Sequence, residues 1–203
     1  MIKVCGITKV EDAEVAAEAG ADALGLNFYP RSKRYVTPEQ ARRIAAAVPA
    51  RVWKVGVFVN ERARVVESIA REVGLDVVQL HGDEPPEALP QFPRIWKAFR
   101  VEPGFGLEAL DRYGSVEAIL LDGPAGSDYG GSGKPFAWSI AAAVLHRTIL
   151  AGGLDASNVA EAIAAARPWG VDACSRLEIA PGVKHHGKMR EFIETARAVK
   201  GWR

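Results

Sequence analysis

ALGLNFYPRSKRYVTPEQARRIAAAVPARVWKVGVFV, residues 23–59, contains the pattern that decides the fold. It begins with a short apolar run at 23–28 and ends with another at 52–59, each typical of a strand that is buried on both faces. Between them, the TPEQ segment at 37–40 predicts a helix that starts with a capping box and a proline in its first turn. Pro49 closes that helix. The stretch therefore predicts one strand–helix–strand unit.

The same alternation continues along the whole chain. Eight apolar runs predict strands at 2–5, 23–28, 52–59, 77–80, 95–99, 118–121, 148–151 and 171–173. Helical patterns lie between them at 11–19, 37–48, 61–73, 107–113, 136–145, 156–166 and 188–199, while 87–89 is too short for a confident helix. Gly20 and Gly74 follow two of these patterns as suitable C-cap residues.

Strict alternation implies parallel strands joined by helices. An open doubly wound sheet and a closed (β/α)8 TIM barrel both fit this pattern. Eight units of about 25 residues each fall within the size range of the barrel, which begins at roughly 200 residues. No linker or charge block divides the chain. We therefore predict an α/β protein that is a single-domain (β/α)8 TIM barrel over residues 1–203.

The composition excludes several classes of protein. Lys plus Arg is 26 and Asp plus Glu is 25, so the basic excess that nucleic acid or a membrane surface requires is missing. The longest apolar run, 140–145, is far below the roughly 20 residues of a membrane span, and the start, MIKVCGIT, lacks a secretory signal pattern. The two cysteines form no CxxC motif. We expect a soluble protein of a reducing compartment, most simply the cytoplasm.

Chemistry in such a barrel lies where strands end and loops begin, on the carboxyl-terminal face. Cys5 ends the first run, where a thiolate acts as a base or nucleophile; the alternative is a small buried apolar residue, and Cys174 is expected to be one. Asp122 ends the sixth run and is either a general acid or base, or a turn aspartate that satisfies its own backbone.

Two cationic or polar side chains follow other runs. His81 comes after the fourth run and either lines the pocket or holds a loop by hydrogen bonding. Arg34 lies in the basic loop after the second run and is suited to bidentate pairing with a carboxylate, although Arg31 and Lys33 are neighbouring cations. The four histidines show no metal-ligand spacing.

Gly152 and Gly153 follow the seventh run and precede a helical pattern. Consecutive glycines let backbone amides approach an anion, and barrels often bind phosphate in the loops after strands seven and eight. Ser175 in the neighbouring loop would add a hydroxyl. The alternative is an ordinary glycine turn. The long loop at 121–135, with five glycines, is expected to be functional or mobile.

The chain resembles the phosphoribosylanthranilate isomerases of tryptophan biosynthesis. The match covers essentially the whole chain, and the KVCGIT, QLHGDE and GGSGK segments together are highly specific. The matching segments are KVCGIT at 3–8, LGLNF at 24–28, SKRYV at 32–36, VGVF at 55–58, QLHGDE at 79–84, LLD at 120–122, GGSGK at 130–134, LAGGL at 150–154 and APGVK at 180–184.

The resemblance implies a (β/α)8 barrel and an Amadori rearrangement of N-(5'-phosphoribosyl)anthranilate, a small phosphosugar-anthranilate substrate, without a metal or organic cofactor. It implies that Cys5 is the general base, that Asp122 is the general acid and that Arg34 binds the anthranilate carboxylate. It places the phosphate at Gly152, Gly153 and Ser175, and it puts His81 in the substrate pocket without an assigned role.

This chain departs from the family pattern in the eighth loop. CSRLE at 174–178 replaces a usual Ser-Ser-Gly-Val-Glu or Asn-Ser-Gly-Val-Glu, so Arg176 takes the place of a glycine. Its side chain either obstructs close backbone approach to a phosphate or supplies a cationic contact. His185 replaces a common aspartate after Lys184.

Two other functions remain open from the sequence. The related Amadori isomerase of histidine biosynthesis would need two glycine-rich anion sites and an aspartate base, whereas this chain has one clear Gly-Gly pair and Cys5. A phosphosugar-binding protein without activity is not excluded by fold resemblance alone. The oligomeric state, homodimer or monomer, is also left open.

Overall fold

A computed structural model describes residues 1–102, 104–123, 138 and 141–202 of this chain. Parallel strands close into a barrel in sequence order, and β8 pairs with β1. The strands are β1 (Ile2–Val4), β2 (Ala23–Asn27), β3 (Trp53–Phe58), β4 (Val77–Leu80), β5 (Ile95–Arg100), β6 (Ala118–Asp122), β7 (Thr148–Ala151) and β8 (Gly170–Ala173). The predicted eight-stranded barrel is confirmed.

Helices cover the outside of the barrel. In the described residues they are α1 (Val10–Ala19), α2 (Pro38–Ala47), α3 (Ala63–Val73), α4 (Glu108–Asp111), α5 (Val159–Ala166) and α6 (His186–Ala198). The β4–β5 connection contains only a 3₁₀ turn at Pro86–Ala88. The loop at 124–135 lies outside the described residues, as do residues 136, 137, 139 and 140 of the helix predicted at 136–145. None of the described helices has the length and apolar character needed to cross a bilayer.

Local sequence signals explain several helix ends. Thr37 Oγ1 accepts a hydrogen bond from the Gln40 amide, and Gln40 Oε1 accepts one from the Thr37 amide, which confirms the predicted capping box. Gly20 caps α1 with a φ of 98°. The helix predicted from residue 156 begins later, at Val159, because Asp155 Oδ1 accepts the Ser157 amide and holds that segment in a turn.

Strand side chains alternate between two cores. On β6, Ala118 and Leu120 pack inside the barrel, whereas Ile119 and Leu121 pack against the outer helices. The same alternation on β1 sends Ile2 and Val4 outward. Side chains at the intervening positions of β1 and β6 therefore face the interior, as do the residues that continue those positions at the carboxyl ends.

Aromatic rings fill the amino-terminal end of the barrel. Trp53, Trp96 and Trp169 contact one another, with ring centroids 5.8–6.3 Å apart. Arg94 and Arg147 lie over two of these rings at 5.0 and 5.4 Å from their centroids. This end is closed by packed side chains, which leaves the carboxyl-terminal end for chemistry.

A short hairpin follows β8 and was not predicted from the sequence. Its strands, β9 (Glu178–Ala180) and β10 (Val183–Lys184), pair in antiparallel fashion. Gly182 has a φ of 82° and lies between them. The hairpin is too short to produce a clear alternation of apolar residues. It carries two charged side chains, Glu178 and Lys184, to the mouth of the barrel.

Candidate active site

Cys5 lies at the carboxyl end of β1 beside the end of β8. Val4 is opposite Ala173 in the parallel register, and the Cys5 amide donates to the Ala173 carbonyl at 2.9 Å. Cys5 is a free thiol and only partly exposed. A Cβ on Gly25 of β2 would lie 2.6 Å from Cys5 Sγ, so glycine at that position makes room for the sulfur. Strand pairing and a neighbouring glycine thus fix the position of the thiol.

An ion pair lies in the barrel interior one layer below Cys5. Lys3 Nζ donates to Asp172 Oδ2 at 2.7 Å, and both side chains are buried. Burial raises the pKa of Asp172 to about 7, against the attraction of Lys3 and with help from the negative charges of Cys5 and Asp122. Asp172 Oδ1 is buried and has no hydrogen-bond partner among the residues that the structure describes. The ionisation of Asp172 is therefore coupled to the charges of Cys5 and Asp122, the two predicted catalytic residues.

The surroundings of Cys5 favour its thiolate. The Cys174 thiol hydrogen-bonds the Cys5 sulfur and lowers the pKa of Cys5 well below its ordinary value, while burial opposes this and Lys3 and Lys184 assist it. The pKa of Cys174 is raised by the same hydrogen bond and by its burial. A partly exposed cysteine with a lowered pKa has the character of a base or nucleophile.

Asp122 ends β6 and contacts His81, which follows β4. His81 Nε2 lies 3.2 Å from Asp122 Oδ2, and both side chains are partly exposed. The Gln79 amide nitrogen lies 3.0 Å from His81 Nδ1. With that amide donating to Nδ1, the ring proton lies on Nε2 and is donated to Asp122. Gln79 and His81 thus hold the carboxyl group in place from β4, two strands away from β6.

Cys5 and Asp122 share one end of a single closed barrel. β1 and β6 are three steps apart through β7 and β8. Both residues continue the inward-facing positions of their strands. A ligand in the mouth of the barrel would therefore have a thiol on one side and a carboxyl group on the other.

Arg34 lies next to Cys5 but already has a carboxylate partner. Its side-chain carbon Cδ lies 2.6 Å from the place where a Cβ on Gly6 would be. Its Nε and Nη2 donate to the two oxygens of Glu178 at 2.7 and 2.6 Å. The predicted bidentate geometry is present, with an internal carboxylate as partner. About a quarter of the Arg34 side chain remains exposed at the mouth, at 24%.

The glycine pair after β7 adopts the conformation that only glycine accepts easily. Gly152 and Gly153 have φ angles of 91° and 67°. A Cβ on Gly152 would lie 2.3 Å from the Gly123 carbonyl oxygen, whereas one on Gly153 would contact nothing within 4 Å. α5 begins six residues after Gly153, at Val159, so the amino terminus of this helix is not directly at the glycine pair as the sequence suggested.

Arg176 pairs with a carboxylate of the preceding βα loop. Its Nη1 lies 3.4 Å from Asp155 Oδ2, so it joins the loop after β8 to the loop after β7. Ser175 opens a 3₁₀ turn, Ser175–Leu177, directly after Cys174. The two loops predicted to hold a phosphate are therefore tied together by an ion pair at their rim.

Sequence reasoning missed four charged residues and misjudged Cys174. Lys3 and Asp172 occupy interior positions of otherwise apolar strands, and that mismatch was a usable signal. Glu178 and Lys184 come from the hairpin, and Lys184 Nζ donates to Glu178 Oε1 at 3.0 Å and to the Cys174 carbonyl at 3.1 Å. Cys174 was expected to be a small apolar core residue; that was wrong, because it is only partly buried and Lys184 Nζ lies 3.8 Å from its sulfur.

The described part of the chain contains no cluster of three or more His, Cys, Asp or Glu side chains arranged to hold a metal ion. The charged groups at the mouth are instead paired with one another. Lys3 pairs with Asp172, and Glu178 pairs with both Arg34 and Lys184. This arrangement suits an organic anion more directly than a cation, because arginine and glycine amides border the opening.

Comparison with known proteins identifies the family. The family model for N-(5'-phosphoribosyl)anthranilate isomerase matches residues 2–195. A protein of that name from Solibacter usitatus is 55% identical over 202 residues, which cover 99% of each chain.

Solved structures agree with this. Phosphoribosylanthranilate isomerase from Thermotoga maritima superposes with a TM-score of 0.88 at 42% identity, covering 97% of this chain and 98% of that one. Another such isomerase, in complex with reduced 1-(o-carboxyphenylamino)-1-deoxyribulose 5-phosphate, gives a TM-score of 0.84 at 39% identity over 97% of both chains. The resemblance seen in the sequence is confirmed: the chain belongs to the N-(5'-phosphoribosyl)anthranilate isomerase family.

Proposed function

We infer that this chain catalyses the isomerisation of N-(5'-phosphoribosyl)anthranilate to 1-(2-carboxyphenylamino)-1-deoxyribulose 5-phosphate, a step of tryptophan biosynthesis. Family membership along the whole chain supports this activity. The observation that carries the mechanism is the presence of an ionisable thiol on β1 and a carboxyl group on β6 at the same end of one barrel.

Asp122 is the proposed general acid. In its protonated form it gives a proton to the ring oxygen of the ribose, the ring C1–O bond breaks, and the anthranilate nitrogen forms a protonated Schiff base with C1. The contact with His81 Nε2 at 3.2 Å orients the carboxyl group for this transfer. Proton transfer by a positioned acid typically contributes about 10²–10⁴-fold to the rate.

Cys5 is the proposed general base. The protonated Schiff base acidifies the hydrogen on C2, so a thiolate is strong enough to remove it. The C2–H electron pair becomes the C1–C2 double bond of an enolamine, and the proton moves to sulfur. Protonation at C1 and loss of the C2 hydroxyl proton then give the ketone. No atoms or electrons are gained or lost, as an isomerisation requires.

Four further residues are proposed to bind the substrate. Arg34 is proposed to attract the anthranilate carboxylate, and its side chain packs against Gly6, the residue after Cys5. Gly152, Gly153 and Ser175 are proposed to hold the phosphate through backbone amides and a hydroxyl. His81 is proposed to act mainly through Asp122 rather than through the substrate. Holding both ends of the substrate aligns C2 and the ring oxygen with base and acid, a positioning effect that is large in enzymes.

A direct assay tests the proposed activity. N-(5'-phosphoribosyl)anthranilate is supplied to the purified chain, and its conversion is followed by the fluorescence of the anthranilate ring. We expect turnover with this substrate and complementation of a tryptophan auxotroph that lacks this step. Growth of a corresponding histidine auxotroph instead, or tight binding of a product analogue without turnover, would contradict the proposal.

A further inference from the structure

Cys174 lies beside Cys5 because of the register between β1 and β8. Val4 is opposite Ala173, and the Cys5 amide donates to the Ala173 carbonyl at 2.9 Å, so the next two residues along these strands are the two cysteines. A Cβ on Gly6 would lie 2.8 Å from Cys174 Sγ. Glycine after Cys5 therefore provides the space in which the second thiol lies against the first.

The thiol proton of Cys174 has two acceptors within reach. One is the Cys5 sulfur, which the pairing of β1 with β8 places beside it. The other is Glu178 Oε1, which lies 4.0 Å from Cys174 Sγ. That oxygen already accepts from Arg34 Nε at 2.7 Å, from Lys184 Nζ at 3.0 Å and from the Gly182 amide at 3.3 Å. A weak S–H donor adds little to an oxygen with three donors, so Cys5 is the acceptor that gains from it.

The charged groups around the two sulfurs favour a single negative charge there. Lys184 Nζ lies 3.8 Å from Cys174 Sγ, and Lys3 lies below Cys5 on the same strand. The carboxylates that face the pair, Asp172 and Glu178, are each bound to a cation. The positive charge of the Arg34 guanidinium also interacts electrostatically with both sulfurs. The positive charges closest to the sulfurs therefore favour one thiolate in the pair.

This inference rests on the proposed role of Cys5 as the base. We propose that Cys174 is a positioning residue for the isomerisation, whose S–H group donates to the Cys5 sulfur and holds it ionised and aimed into the barrel mouth. A hydrogen bond to the charged form of a group stabilises that form. In this role Cys174 acts through Cys5 and keeps both its proton and its oxidation state.

Two variants separate hydrogen-bond donation from packing. Cys174→Ala removes the donor, and Cys174→Ser keeps one. Because the chain has two cysteines, either variant leaves Cys5 as its single thiol. The rate of alkylation by iodoacetamide, measured against pH on reduced protein without substrate, then reports the ionisation of Cys5 alone. In the wild type, mass spectrometry of the peptide that contains Cys5 gives the same quantity.

We expect the pKa of Cys5 to be about one unit higher in the alanine variant than in the serine variant, which makes alkylation at neutral pH about ten-fold slower. The acid limb of kcat/KM should shift in the same direction, with the rates converging at high pH. If the alanine variant does not fold, as judged by circular dichroism, Cys174→Val fills the same space without a donor and replaces it.

The outcomes also distinguish this inference from the proposed function. Identical alkylation profiles in the serine variant and in the variant without a donor would refute the contact itself. Unchanged turnover in Cys5→Ala would instead refute the proposed base, and with it any catalytic use of the contact, even if the alkylation profiles differ. A shift in alkylation together with a matching shift in kcat/KM supports the role of Cys174.

Discussion

Lys3 Nζ and Asp172 Oδ2 are 2.7 Å apart in the closed interior of the barrel, directly below Cys5. The pair joins the first and last strands, and the residues are opposite each other in the parallel register. Burial lowers the pKa of Lys3, but Asp172 and Cys5 outweigh this effect and raise it above its ordinary value. Lys3 thus stays charged and supplies positive charge beneath the thiol. Its partner Asp172 has a raised pKa, mainly because it is buried.

The ionisation of Asp172 predicts a pH-dependent loss of stability. The pKa of Asp172 is raised from 3.8 to about 7, so between these values the folded state holds a proton that the unfolded state has released. Stability from this group is therefore present at low pH and is lost as pH rises toward 7, at up to roughly 1.4 kcal/mol per pH unit. We expect the unfolding free energy of the wild type minus that of Asp172→Asn to fall between pH 4 and 7. A flat or rising difference in urea titrations would contradict this.

Loss of the Cys5 thiol should remove the base while the fold survives. We expect Cys5→Ala to lower kcat by about 10²–10⁴-fold, and Cys5→Ser to be nearly as slow because a hydroxyl ionises far less readily than a thiol. Steady-state kinetics gives the rate, and circular dichroism with thermal melting checks the fold. A purified, folded Cys5→Ala variant with near-normal turnover would show that the base is another group.

Asp122→Asn should abolish proton donation to the ring oxygen with little change in shape. An amide is not an acid, so we expect kcat to fall by about 10²–10⁴-fold. Asp111→Asn, on the exposed end of α4, is the matched control and should retain wild-type kinetics. Equal rates in the two variants would exclude Asp122 as the acid. Changing His81 to Gln should have a smaller effect, since it removes an orienting contact only.

Arg34→Ala should weaken substrate binding more than turnover. A charged hydrogen bond contributes about 1.5–3 kcal/mol, so KM should rise by roughly ten-fold or more. The matched variant is Arg31→Ala, at an exposed position of the same loop, which should leave KM unchanged. If instead the Arg31 variant raises KM and the Arg34 variant does not, Arg34 serves only to hold Glu178, and the carboxylate contact lies at Arg31.

Gly152 and Gly153 form a matched pair for testing the loop after β7. The Cβ of an alanine at Gly153 would point into open space. The substitution should therefore cost only the backbone strain of a positive φ, about 1 kcal/mol of stability. Alanine at Gly152 would also place its Cβ 2.3 Å from the Gly123 carbonyl oxygen. We therefore expect Gly152→Ala to have a clearly lower melting temperature than Gly153→Ala. We also expect inorganic phosphate to inhibit the Gly152→Ala enzyme more weakly. Equal melting temperatures would contradict this, because they would show that the loop after β7 can move away from Gly123 without loss of stability.

Local patterns were enough to predict the barrel and several of its details. Buried strands appear as short apolar runs, and Thr37 with Gln40 forms the predicted capping box. Boundaries were less accurate where side chains compete with the helix, as Asp155 does before α5. The hairpin at Glu178–Ala180 and Val183–Lys184 was missed because two strands of that length contain no measurable period.

The sequence by itself determined the fold, the family and the order in which chemical groups reach the barrel mouth, because strand alternation and chain order set which side chains point inward at each strand end. Only the tertiary structure decided which groups touch. Cys5 and Cys174 are far apart in the sequence, and Arg34 and Glu178 are separated by 144 residues; each pair is brought together because β8 closes against β1. Ionisation depends on such contacts and on burial, so the character of the thiol at Cys5 follows from barrel closure rather than from its neighbours in sequence.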